Sequence, residues 1–310
     1  MSFDRLIDRI KKLNNPTVAG LDPKLSFIPD FIKKTAAQKT SDPLEAAAEA
    51  IFMFNCGLID VLFPIVPAIK PQAAYYEMYG WQGVRALAKT IAYAKSKGMF
   101  VITDGKRNDI GTTMEAYADA HIGITKLENG QAAEAFGADA LTVNGYLGSD
   151  GIRPLIDICK SGNKGIFVLV KTSNPSSGEL QDRIIDQMPV YEAMGQMCEL
   201  WGEGTCGKSG YSAVGAVVGA TYPQQLVELR KKLPHTFFLV PGYGAQGADA
   251  KDITGAFDEN GEGAIINSSR AIMCAWQQGQ AYTEKDYAKA AAAEAIRMRN
   301  EINAALSKKI

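Results

Sequence analysis

The segment Asp104-Gly105-Lys106-Arg107-Asn108-Asp109-Ile110 sets a carboxylate, an ammonium and a second carboxylate within six residues, directly after the apolar run Phe100-Val101-Ile102. Side chains at i and i+2 of a strand share one face, so Asp104 and Lys106 are expected to point the same way from the end of a buried strand. Charges buried there cost free energy unless they pair or meet a charged ligand. The two histidines, His121 and His235, fall well inside a helical pattern and just ahead of a strand. Neither placement suits a Ser-His-Asp hydrolase or a histidine-ligated zinc hydrolase. Any general acid is therefore expected to be a lysine or a carboxyl group.

The elements that must position these charges follow from periodicity. Short apolar runs at residues 17–21, 65–69, 100–103, 140–143, 165–170, 213–219, 237–240 and 264–267 read as strands. Helical patterns lie between them at 43–62, 83–97, 113–120, 223–232 and 287–306, and Phe3, Leu6, Ile7, Ile10 and Leu13 open the chain as an amphipathic helix. Strands alternating with helices imply a parallel sheet with helical crossovers. Eight such units imply a closed (β/α)8 TIM barrel, for which about 250 residues is typical. A doubly wound sheet is the alternative, but no long order-reversing crossover is present. The excess length falls in the N-terminal helix, in 24–41, and in an insertion after strand 5. That insertion reads as Asn174-Pro175-Ser176-Ser177-Gly178, a helical segment over 181–201 and a loop over 202–210. No linker divides the chain, so residues 1–310 are expected to form one barrel domain.

Active sites of such barrels lie at the C-terminal ends of the strands. Those positions carry Asp22 (strand 1), Lys70 (strand 2), Asp104 and Lys106 (strand 3), Asn144 (strand 4), and Lys171 and Ser173 (strand 5). Strand 7 is followed by Pro241-Gly242-Tyr243-Gly244-Ala245-Gln246-Gly247, and strand 8 by Asn267-Ser268-Ser269-Arg270. Asp22 and Lys70 each precede a proline, which favours an extended backbone and keeps them at the strand ends. A cap or a rim ion pair would explain any one of these charges; four of mixed sign on three neighbouring strands point to a site. The glycine-rich loop after strand 7 and Arg270 after strand 8 match the usual phosphate position of barrels. Gln246 could donate to the same phosphate. Thr112-Thr113-Met114-Glu115 fits a capping box for the next helix, which leaves Asp109 on a loop able to reach a neighbouring subunit.

Bulk properties exclude several classes. With 46% hydrophobic residues, 22% charged and a formal net charge of −1, the 310-residue chain has a large core and no nucleic-acid footprint. Five scattered cysteines without a CxxC spacing imply reduced thiols, hence the cytoplasm. The N-terminus lacks the apolar core of a signal peptide, and no stretch is apolar enough to span a bilayer.

From about Thr17 to Arg270 these motifs resemble the orotidine 5′-phosphate decarboxylase family in its longer bacterial form. The resemblance rests on Asp104-x-Lys106-x-x-Asp109-Ile110-x-x-Thr113, with Asp22, Lys70, Ser173-Asn-Pro, the strand 7 loop and Asn267-Ser-Ser-Arg270. It implies cofactor-free decarboxylation of orotidine 5′-monophosphate to UMP by a homodimer with shared sites. By that resemblance Lys106 protonates C6, and Asp104 faces the substrate carboxylate. Lys70 and Asp22 bind ribose, and Asp109, Ile110 and Thr113 serve the partner's site. Ser173 meets the pyrimidine, while Pro241, Gln246 and Arg270 belong to the phosphate end. The chain departs from the shorter family form in its N-terminal helix, its strand 1 loop, its strand 5 insertion and Ser269, where glycine is common. Metal-dependent sugar-phosphate lyases of the same superfamily share the Asp-x-Lys-x-x-Asp pattern, but a lysine ending strand 2 would repel their metal. A Schiff-base aldolase using Lys70 or Lys171 and a non-catalytic nucleotide-binding protein are the other readings.

Overall fold

The computed structural model describes residues 2–244, 248–279 and 281–309. Eight parallel strands close into a barrel in chain order: β1 (Thr17–Leu21), β2 (Ala68–Pro71), β3 (Phe100–Arg107), β4 (Ala140–Val143), β5 (Gly165–Lys171), β6 (Val214–Val218), β7 (Phe238–Val240) and β8 (Ala264–Ser268). Closure comes from β8 pairing with β1, with Thr17 opposite Ile266. The helices are α1 (Ser2–Leu13), α2 (Asp30–Ala37), α3 (Pro43–Leu62), α4 (Ala74–Glu77), α5 (Gly80–Ser96), α6 (Gly111–His121), α7 (Ser149–Gly162), α8 (Val190–Gly202), α9 (Pro223–Lys232), α10 (Arg270–Met273) and α11 (Tyr287–Leu306). The expected (β/α)8 barrel is thus observed, and most expected strands lie within a few residues of their positions.

Local chemistry explains the main boundaries. α3 starts where Asp42 accepts a hydrogen bond from the Leu44 N–H (2.9 Å), with Pro43 in the first turn, where its missing N–H costs nothing. α3 packs against α2, α5 and α11 as the outer layer, where Phe54 meets Tyr287 at 5.2 Å.

Inside the barrel a separate apolar cluster includes Val18, Ile102, Phe167, Leu239 and Ile265. α1 completes it: Phe3, Leu6 and Ile7 are buried there, and the Phe3 ring lies 4.8 Å from Phe167 and 5.4 Å from Phe237. These contacts sit at the starts of the strands, so α1 plugs the end of the barrel opposite the strand C-termini. Gly165 makes room, since a Cβ there would lie 2.8 Å from the Phe3 ring.

Three local expectations are corrected. The helix over 181–201 is divided: a 3-10 turn (Pro175–Glu179) and a short hairpin (Ile184–Ile185 with Met188–Pro189) precede α8. Asp186 (φ 49°) and Gln187 (φ 69°) both take the left-handed conformation that a two-residue hairpin turn requires, and Pro189 ends the helical option. The Thr112–Glu115 capping box is absent: α6 begins at Gly111 with Ile110 preceding it and no side-chain cap. Gly111 (φ 52°) turns the chain into the helix before Thr112 can cap it. Extra length also lies between α6 and β4, where residues 125–126 and 132–133 pair as a small hairpin.

Candidate active site

The end of β3 is bulged. Thr103 pairs with Leu141 of β4 and Arg107 with Val143, so residues 104–106 together face the single residue Thr142. Lys106 absorbs the bulge with φ 48°, a left-handed conformation unusual for a side chain with a Cβ. Asp104 and Lys106 do converge, as expected, but through this bulge and not through simple strand alternation. Thr142 pins the arrangement: its Oγ1 accepts from the Lys106 N–H (3.0 Å) and donates to Asp104 Oδ1 (2.8 Å).

Asp104 is clamped between two ammoniums. Lys70 Nζ donates to its Oδ2 at 2.6 Å and Lys106 Nζ to its Oδ1 at 2.7 Å. β2 is tied to the same residue through the backbone, the Ala73 N–H donating to the Asp104 carbonyl at 3.1 Å. Burial alone would raise the Asp104 carboxyl; the Lys70 and Lys106 ammoniums outweigh it and hold the group below the ordinary carboxylate range. Burial likewise works against the Lys70 charge, but Asp104 and then Asp22 overcome it and raise the ammonium's pKa. Asp22 follows β1, and its buried Oδ1 has no hydrogen-bond partner, leaving an acceptor beside Lys70. Lys70 is thereby held as a cation. That does not suit a Schiff-base lysine, which must lose its proton before attack.

A cavity of about 500 Å³ opens over this triad. Lys70, Asp104, Lys106 and Thr142 form one wall; Leu169, Val217 and Leu239 from β5, β6 and β7 form an apolar floor, and Pro241 the rim. Residues 172–181 of the insertion, Ser173 among them, supply the other wall. Gln181 fastens that loop, accepting from the Thr172 N–H (2.9 Å) and donating to Thr172 Oγ1 (2.7 Å). The size and mixed lining suit a small polar ligand with a flat apolar part.

Of the other expected site residues, Asp22, Asp109, Ile110, Thr113 and Arg270 lie outside this lining. Asp109 is half-buried and caps the Ile110 N–H with its own carboxylate (2.8 Å), while Ile110 and Thr113 are exposed at the start of α6. Arg270 is exposed at the start of α10. Gln246 lies outside the described residues. Ser269 Oγ, 3.4 Å from Asn267 Nδ2, packs against Gly20, where a Cβ would collide with it. His121 is buried, stacked on Phe136 at 4.9 Å, and His235 is exposed with Nδ1 3.0 Å from the Gly210 carbonyl. Both lie outside the cavity, as expected.

Residues 54–285 match the family described as orotidine 5′-phosphate decarboxylase / HUMPS. The chain is 43% identical over 296 residues to an orotidine 5′-phosphate decarboxylase of Rhodopirellula baltica, covering 94% of this chain and 96% of that protein. The chain belongs to the orotidine 5′-phosphate decarboxylase family. A second relative of the same name, from Caldicellulosiruptor bescii, is 40% identical, with 98% of each chain covered. Among solved structures, the OMP decarboxylase of Leishmania donovani superposes with a TM-score of 0.73 at 30% identity, covering 99% of this chain and 98% of that one.

Within this decarboxylase-family fold, Thr142 and Gln181 carry structure that the motif reading passes over. Thr142 could have been found as the lone hydroxyl inside the buried run Leu141-Thr142-Val143. Gln181 carries no comparable signal, because its role depends on the path of the insertion. Among the described residues no group of three His, Cys, Asp or Glu side chains converges on a metal-sized site, and no helix is long and apolar enough to cross a membrane. Both oxygens of Asp104 are already engaged by ammoniums, which disfavours a divalent cation at that carboxylate.

Proposed function

We propose that this chain decarboxylates orotidine 5′-monophosphate to UMP without a cofactor, with Lys106 as the proton donor. The Lys70–Asp104–Lys106 triad at the cavity wall carries this reading. Breaking the C6–carboxylate bond releases CO₂ and leaves its electron pair on C6, where the ring delocalises it poorly. An ammonium already fixed beside that carbon stabilises the developing charge and then gives C6 its proton. Two opposite unit charges about 4 Å apart attract by roughly 4 kcal/mol at an effective dielectric near 20. Such pairing with Asp104 keeps Lys70 charged as the site loses water. Lys70 and the unpartnered Asp22 oxygen bind the ribose hydroxyls, Ser173 meets the base, and Pro241, Gln246 and Arg270 hold the phosphate end. Phosphate contacts remote from C6 supply binding energy that holds the reacting complex together.

Asp109, Ile110 and Thr113 belong to the site of a second copy, making the working unit a homodimer. Support comes from Ile110, 52% exposed on its own chain, and from the position of all three residues outside the cavity lining described above. The five free cysteines fit a reducing compartment, the cytoplasm.

The test follows loss of orotidylate absorbance in EDTA. Wild type is expected to turn over, and Lys106→Ala to lose at least about three orders of magnitude in kcat, the scale of a lost charge-stabilising donor together with its proton. A requirement for added metal, or undiminished activity in Lys106→Ala, overturns the reading.

A further inference from the structure

Lys171 ends β5 yet takes no part in the cavity lining, although Leu169, two residues earlier, does. The pairing of β5 with β6 slips here: Leu169 faces Val217, but Lys171 faces Val218, so one extra residue is accommodated. Such a bulge re-aims the side chain that follows it. The Lys171 ammonium is fully buried and donates to Asp182 Oδ1 at 2.6 Å and to Ser177 Oγ at 3.2 Å. It also lies 4.2 Å from the centre of the Tyr222 ring. The Tyr222 hydroxyl continues the network to Ser177 Oγ (3.0 Å) and to the Asn174 carbonyl (3.3 Å). Every one of these contacts except Tyr222 is to the insertion, between Asn174 and Asp182. That segment forms the cavity wall carrying Asn174, Ser177 and Gln181.

A buried ammonium is costly to maintain and must keep its partners. Here its carboxylate partner, Asp182, is half-exposed on the loop and not part of the barrel. Loss of that one contact would leave the ammonium without a carboxylate, reaching the loop only through Ser177. We propose that Lys171 is a positioning residue: its ion pair with Asp182 tethers the insertion to the barrel and so sets the wall against which the nucleotide binds. The inference rests on the orotidylate reading for the identity of the ligand.

The experiment uses the full chain, with UMP binding by calorimetry and trypsin cleavage after the exposed Arg183 in the same insertion. Asp182→Asn is expected to weaken UMP about tenfold and to speed cleavage at Arg183 by a similar factor. Asp182→Glu, which keeps the charge, is expected to stay within about threefold of wild type. Lys171→Met combined with Asp182→Asn is expected to add little to Lys171→Met alone, since the Lys171–Asp182 pair is already lost there. Unchanged UMP affinity and cleavage in Asp182→Asn overturns the tether, as does a lowered midpoint with unchanged affinity, which would mark a purely structural pair. Wild type that fails to bind UMP overturns the orotidylate reading instead.

Discussion

Lys106 holds a left-handed backbone (φ 48°) that costs an L-residue about 1–2 kcal/mol and costs glycine almost nothing. The strain places its ammonium on Asp104 while the Thr142 hydroxyl holds its N–H. Replacing Lys106 by alanine or by glycine removes the same charge, so comparing the two isolates the backbone. Lys106→Gly is expected to be more stable than Lys106→Ala by about 1 kcal/mol in urea unfolding, the reverse of the usual order for these residues. Equal midpoints, or a more stable alanine variant, would mean the conformation carries no strain. His121 offers a second test at this scale. Burial, followed by the nearby Arg107 guanidinium, pushes its pKa from 6.5 down to about 4. The folded state then binds the proton more weakly than the unfolded chain. Stability is unaffected above the unfolded value, falls as pH drops below about 6.5, and levels near pH 4, a loss on the order of 3 kcal/mol. His121→Phe, which keeps the stacking surface against Phe136, is expected to flatten that part of the pH profile of unfolding free energy. An unaltered slope would count against it.

Among the elements, α1 shows how an added segment becomes part of the core. Phe3 is buried within the barrel's interior cluster, so Phe3→Ala is expected to cost about 3–5 kcal/mol, read as a shift of the urea midpoint. Because the plug is at the opposite end from the triad, kcat of the folded variant should stay near wild type. A large loss of kcat without a loss of stability would contradict that separation. The amphipathic pattern of α1 is plain in the sequence and says that one face is buried; it cannot say against what, because Gly165, Phe167 and Phe237 are remote in the chain. Lys70, Asp104 and Lys106 are legible for the opposite reason, since a charge ending an apolar run is a local anomaly. The β3 bulge depends on register with β4 and leaves no mark in β3 alone. The hairpin at 184–189 escapes because Asp186-Gln187 lacks the glycine that ordinarily announces its turn.

At the scale of the whole molecule, the division of one motif between two directions matters most. Asp104 and Lys106 face the cavity of their own chain, whereas Asp109, Ile110 and Thr113 lie outside it. If they complete a second copy's site, Lys106→Ala and Asp109→Ala chains are each inactive alone, and mixed heterodimers regain one intact site in two. Random exchange should therefore restore about a quarter of wild-type activity per chain mixed in equal amounts, set by the statistics of pairing in a closed two-fold dimer. No recovery after demonstrated subunit exchange would refute the shared site.

The plug at the barrel floor also orders events in time. Phe3 is synthesised before Phe167 and Phe237, which form its seat more than half a chain further on. Contacts so distant in sequence form late, because a long loop must close before they contribute. α1 thus leaves the ribosome with an apolar face whose seat is still unmade, and it must wait for the seventh strand before it can be put away.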